Sequence, residues 1–142
     1  MPAKKKTPRA SAPDAPSQIA PRDASAALAD AARAASVCDQ YRGQETVVLD
    51  LTAITALFDF FVITTATNRR QMHSIADEVS RTLKRLGGKR LGREGYDGSN
   101  WIVEDFGDVI LHIFTPESRA LYDLENLWGD APRVDWTQHL PE

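Results

Sequence analysis

One cysteine, Cys38, stands in 142 residues, so no internal disulfide can form, and a reducing compartment such as the cytoplasm suits the chain. No apolar run approaches the roughly 18 residues that a membrane-spanning helix needs, which leaves a membrane partner without support. Several chemistry-bearing spacings are missing too. There is no Asp-x-Asp or Glu-x-Asp pair, the arrangement that aims two acids from one strand face at a divalent cation. There is no His-x-x-x-His and no Cys/His pair for zinc, and His73-Ser74 has no nucleophile-elbow context. The stretch GGKRLGREG (87–95) follows a helical pattern and carries Arg90 where a phosphate-binding loop needs Ser or Thr. Neither a cofactor nor a metal is expected.

Large apolar residues are scarce at the start. Residues 1–22, MPAKKKTPRASAPDAPSQIAPR, contain Ile19 alone among large aliphatics, too little to offset ordering entropy, and are expected to form a disordered basic arm. The arm has neither the apolar core of a secretory signal nor the Arg-rich periodicity of a transit peptide. Residues 23–131 are expected to be one domain, and 132–142 a C-terminal tail.

What is present divides by charge. The arm carries +4, residues 23–98 are neutral, and residues 99–142 hold nine acids against Arg119 and Arg133, a net −7. An acidic last third repels phosphate backbones and would attract a basic protein, although charge alone reads first as simple solubility. A basic patch, Arg81, Lys84, Arg85, Lys89, Arg90 and Arg93, reads by default as a solvated helix face, with an unspecific RNA contact as the alternative.

Periodicity predicts the elements. Leu28, Ala31, Ala32, Ala35, Cys38 and Tyr41 recur at helical spacing behind Asp23 and stop near Gly43. Residues 45–51 and 58–67 are branched and aromatic, two strands. Asn68 and Gln71 open a second helix in capping-box fashion, with Met72, Ile75, Ala76, Val79, Leu83 and Leu86 on one stripe and Gly87-Gly88 as the stop. A short strand within 89–99 precedes strands near 100–104 and 108–114, whose closeness forces antiparallel pairing about an Asp105–Asp108 turn. Thr115-Pro116 starts a last helix running to Trp128, with Leu121, Leu124 and Leu127 as its buried face. The order is that of a single α/β domain with a mixed β-sheet flanked by helices. Among the acids of the last third stand Trp101, Phe106, Tyr122 and Trp128, residue types that dominate binding hot spots, so the residues by themselves point to a non-enzymatic domain with an acidic-aromatic protein-binding surface.

Two separated stretches carry a resemblance. SNWIVEDFGDVILHIFTPESRALYDLENLWGDA (99–131) and DLTAITALFDFFVITTATNRRQMHSIADEV (50–79) closely resemble the ribosomal silencing factor family, also called RsfS or Iojap. The resemblance implies a nucleotidyltransferase-like fold without catalytic acids. It implies a translational repressor that binds the large ribosomal subunit through its fourteenth ribosomal protein and blocks association with the small subunit under nutrient limitation. Carried over by position, Trp101 and Phe106 would be anchors on a partner-contacting hairpin, Glu104, Asp105 and Asp108 its acidic surround, and Tyr122, Glu125 and Trp128 the last-helix contribution. It implies that free members can form a homodimer, and the long arm allows a ribosomal RNA contact through Lys4, Lys5, Lys6 and Arg9. The rival expectation is a divergent metal-dependent nucleotidyltransferase using Asp50, Asp59 and Asp108.

Overall fold

The computed structural model describes residues 23–98 and 100–141; the basic arm, residues 1–22, lies outside them, as do Ser99 and Glu142. Helix α1 is Ser25–Gln40. Asp23 Oδ1 accepts from the N–H and Oγ–H of Ser25 at its start. Ala27, Ala31, Ala34, Ala35 and Cys38 are buried along it, small side chains that let the helix lie close on the sheet. The Cys38 thiol is buried, which pushes its pKa up to about 12 and leaves it an inert core group. At Gly43 a Cβ would run into Thr64 Oγ1 and the Cys38 carbonyl, so the turn into the sheet requires glycine.

Strands β1 (Gln44–Asp50) and β2 (Phe60–Thr65) pair antiparallel, with a register shift between Gln44 and Val47 where Glu45 has φ +49°. Helix α2, Arg69–Arg85, starts as its sequence predicts. Asn68 accepts from Gln71 N–H at 2.8 Å, while Gln71 Oε1 accepts from Thr67 N–H at 2.8 Å. Its stripe of Met72, Ile75, Ala76, Val79 and Leu83 is buried, and Leu86 beyond it is exposed.

Strands β3 (Gly92–Glu94), β4 (Trp101–Asp105) and β5 (Val109–Phe114) complete the main sheet. β4 and β5 are antiparallel across the turn foreseen: Gly107 has φ +91° and donates its N–H to Asp105 Oδ1 at 2.8 Å. The strand order is β3-β4-β5-β2-β1-β6, and among the described residues β2 beside β5 is the one parallel pair, so the sheet is mixed.

Three expectations need correction. The last helix is two: α3 (Pro116–Tyr122) and α4 (Leu124–Leu127), broken at Asp123, which sits at φ +45°. The break turns Leu121 and Leu127 outward, and only Leu124 of the expected apolar face is buried. The segment after Ala131 is part of the fold: β6 (Arg133–Val134) pairs with β1, and Trp136, in the 3₁₀ turn Trp136–His139, packs on the core beside α1. The second strand is shorter than residues 58–67, because Asp59 turns the chain into β2 and Thr67 begins the approach to α2.

The sheet has two faces. Val48, Phe60, Val62, Ile102, Leu111 and Ile113 lie in one core with α1 and α2. Leu49, Phe61, Ile63, Ile110 and Phe114 line the other face, closed by Leu51, Leu124, Trp128 and Ala131 over the β1–β2 half.

Candidate functional site

Alternation along β4 decides which expected residues share a face. Trp101, Val103 and Asp105 stand opposite Phe114, His112 and Ile110 on the second face. Ile102 and Glu104 point the other way, toward the helices. Of the residues assigned to the site, the structure brings Trp101 and Tyr122 into contact, ring centroids 4.6 Å apart and inclined 42°. Trp101 also packs on Phe114, 4.7 Å at 32°. Tyr122 is 46% exposed. The break at Asp123 places it over Trp101 as the last residue of α3.

From this pair a groove runs across the β3–β5 half of the sheet. It is lined by Leu57, Phe58, Leu91, Val103, Ile110 and His112, with Asp105, Glu94 and Arg93 as its charged residues. Both helices of the first face are absent here, and α3 and α4 leave the groove uncovered, so Leu57 and Leu91 are more than half exposed. A contiguous apolar groove with an aromatic end and few charges has the chemistry of a protein-docking surface.

The other assigned residues are elsewhere, and their expected roles change. Glu104 is fully buried between β4 and α2. It accepts from Arg93 Nε, and Arg93 also reaches Asp77 Oδ1 at 3.1 Å. Burial pushes the Glu104 carboxyl above the usual range in spite of Arg93. Glu104 therefore rings no exposed anchor; it ties strand β3 to the domain, with Tyr96 donating its hydroxyl to Asp77 Oδ2 at 2.8 Å and Arg93 lying 4.1 Å over the Tyr96 ring. Phe106 packs against the helical core, on the opposite face from Trp101, and Trp101 is at the end of β4 away from the turn. The two residues expected as anchors thus lie on opposite faces of the hairpin.

Trp128 is 3% exposed and supports the surface from beneath, edge-on to Phe61 at 5.6 Å. Glu125 is a clamp: Arg119 Nη2 donates to its Oε2 at 2.8 Å and Nε to its Oε1 at 3.2 Å, while Arg133 adds an ion pair at 3.5 Å. The Arg119 hydrogen bonds hold the Glu125 carboxyl below the usual range. Arg119 is itself buried and reaches Thr65 Oγ1 at 3.0 Å, so the clamp fixes α3, and hence Tyr122, to the sheet. Asp108 is exposed at the turn.

The backbones of Asp50, Asp59 and Asp108 meet at one end of the sheet. Asp59 N–H donates to the Asp108 carbonyl and Leu51 N–H to the Asp59 carbonyl, each at 2.8 Å. Their side chains do not converge: Asp50 Oδ1 accepts from the N–H and Oγ–H of Thr52, and among the described residues no group of three or more His, Cys, Asp or Glu is placed to hold a metal ion. In the basic patch Arg93 is withdrawn into its pair with Glu104, whereas Lys84, Arg85 and Lys89 are exposed.

His112, Phe61, Phe58 and Leu57 were missed as site residues. β5 is apolar throughout apart from His112, so its apolar pattern does not distinguish the side that faces the groove. The lone histidine in that run was the available signal.

Comparison with known proteins agrees with this architecture. The family model described as ribosomal silencing factor during starvation matches residues 24–142. A Bacillus subtilis protein named ribosomal silencing factor RsfS is 36% identical over 102 residues, 72% of this chain and 86% of that one. A Mus musculus relative, named mitochondrial assembly of ribosomal large subunit protein 1, is 30% identical over 118 residues, 81% of this chain and 52% of that protein. A crystal structure of a Chromobacterium violaceum protein superposes with a TM-score of 0.68 at 31% identity, covering 72% of this chain and 86% of that one. Fold and sequence agree that this chain belongs to the ribosomal silencing factor family.

Proposed function

We propose that this protein represses translation by docking its open aromatic face on the large ribosomal subunit, where its bulk excludes the small subunit. The contact on the subunit is the fourteenth ribosomal protein, and Trp101 with Tyr122 forms its centre. The family supports a silencing role on ribosomes, and the mouse relative's name refers to the large subunit. The observation that carries the reading is the Trp101–Tyr122 pair at the head of an apolar groove that the protein's own helices leave uncovered. Asp105 and the exposed Asp108 supply charge complementary to a basic partner, which speeds and orients association. The action is steric and turns over no substrate. It belongs with ribosomes in the cytoplasm, the basic arm adds an RNA contact, and in the free protein the same face is open to a second copy of the chain.

Sedimentation tests this. Purified large subunits are incubated with wild-type protein or Trp101→Ala, and small subunits are then added. Wild type is expected to co-sediment and to prevent joining, and the folded variant to do neither. Failure of wild type to bind would overturn the function; equal binding by the variant would overturn the site.

A further inference from the structure

His112 sits mid-strand in β5 between Leu111 and Ile113 and is 2% exposed. Burying an imidazole in an apolar strand is costly unless its nitrogens are used. One is: Trp101 Nε1–H donates to His112 Nδ1 at 3.2 Å. An accepting Nδ1 requires the neutral ring with its proton on Nε2, and burial favours that form by pushing the His112 pKa down to about 3. The Nε2 side has no hydrogen-bond partner among the described residues. The bond to Trp101 is therefore what a histidine supplies at this position that a leucine would not.

The geometry of the pair is diagonal. In register Trp101 stands opposite Phe114, and His112 opposite Val103. The indole thus reaches past its own cross-strand partner to the next residue on the same face, a span open to aromatic side chains. The imidazole is held on both sides, edge-on to Phe61 at 4.5 Å and 67°, and nearly parallel to Phe114 at 6.2 Å and 9°. Trp101 is not so held. It is half-buried, and Phe114 and Tyr122 meet it through tilted ring contacts, which constrain an indole less than a directional bond does.

We infer that His112 is a positioning residue of the docking face, its Nδ1 fixing the Trp101 indole in the one orientation the partner meets. This rests on the docking role proposed for Trp101. A free indole would have to be ordered on association; one already held by a buried ring is preorganised, and binding is tighter for it.

A double-mutant cycle on the full chain, read as affinity for purified large subunits, tests the inference. His112→Leu keeps apolar volume and removes the acceptor, His112→Asn offers an oxygen near the position of Nδ1, and Trp101→Phe keeps a ring and removes the donor. His112→Leu is expected to weaken binding roughly fivefold, the worth of one net hydrogen bond, and His112→Asn to restore most of it. On the Trp101→Phe background the same change should cost less than about twofold, because the bond is already gone. In parallel, the Trp101 indole N–H, identified as the NMR signal missing from Trp101→Phe, should exchange with solvent faster in His112→Leu and slowly again in His112→Asn.

Equal losses on both backgrounds would overturn the inference, since His112 would then act only through packing. So would unchanged indole exchange in His112→Leu while Trp101→Ala remains defective in binding, an outcome that leaves the docking reading intact. If Trp101→Ala binds like wild type, the docking reading fails, and a docking role for His112 fails with it.

Discussion

Leu111 and His112 are neighbours on β5 and are both buried, yet they belong to different kinds of interior. Leu111 faces α1 and α2, where alanines on α1 and the apolar stripe of α2 close over the sheet. His112 faces a layer of rings, Phe61, Trp101 and Phe114, that continues into a groove with no helix above it. The first interior is finished by the chain's own packing, with small residues letting backbones approach. The second is closed only in part, and its aromatic residues pack on one another. A sheet so divided separates stability from recognition at its two extremes: substitution of Leu111 should move unfolding, and of Trp101, binding.

Acid offers the largest test, of whether the ring layer on the second side is itself a true interior. The folded pKa of His112, about 3, lies below its ordinary 6.5, so between these values the unfolded chain binds the proton more readily. Its contribution is present in full above pH 6.5 and is lost as pH falls toward 3, on the order of 5 kcal/mol in all. Urea unfolding followed from pH 7 to 4 should show this decline, and His112→Leu should flatten it. An unchanged slope would mean that water reaches His112 and that the ring layer is not a true interior. Next in size, Leu111→Ala should cost about 3 kcal/mol of stability through the cavity it leaves, while the folded fraction keeps its affinity for large subunits. Trp101→Ala should do the reverse, losing about 2 kcal/mol of docking, a hot-spot value, with under about 1 kcal/mol of stability. Least is expected from Asp108→Asn, which should slow association about twofold at low salt and change nothing at high salt, as stopped-flow measurements would show.

Local chemistry was legible in the sequence. The Asn68–Gln71 cap, the stripe on α2, the Gly107 turn and the Thr115-Pro116 helix start each depend on residues within a turn or two of one another, and each is in the structure. The order of elements led to the mixed sheet, and the resemblance, resting on 50–79 and 99–131, to the family itself. What remained hidden was the side of the sheet on which a residue would lie. Alternation shows that Glu104 and Asp105 oppose each other, but only the docking of α2 decides that Glu104 is the buried one. Phe106 and Trp101 part for the same reason. Trp128 reads as an exposed anchor until the αL residue at Asp123 bends the last helix and brings its ring beneath Phe61. Gly and Asn favour that conformation more than Asp does, so the break had only a weak local signal. Residues 133–134 are too short a stretch to announce a strand, and only their pairing with Val48 and Leu49 makes them one.

The lone parallel junction has a consequence in time. β1 with β2, and β4 with β5, are antiparallel pairs of strands close in sequence, so each closes a short loop and forms early. Joining them requires Phe60 to find Val109, and Thr65 to find Phe114, across the whole of α2, β3 and the loop after it. Closure over that length carries the larger entropic cost and sets the pace of folding. A nascent chain would therefore spend its slowest interval as two separate ribbons, with Phe61 and His112, the floor of the future groove, still in water and not yet side by side.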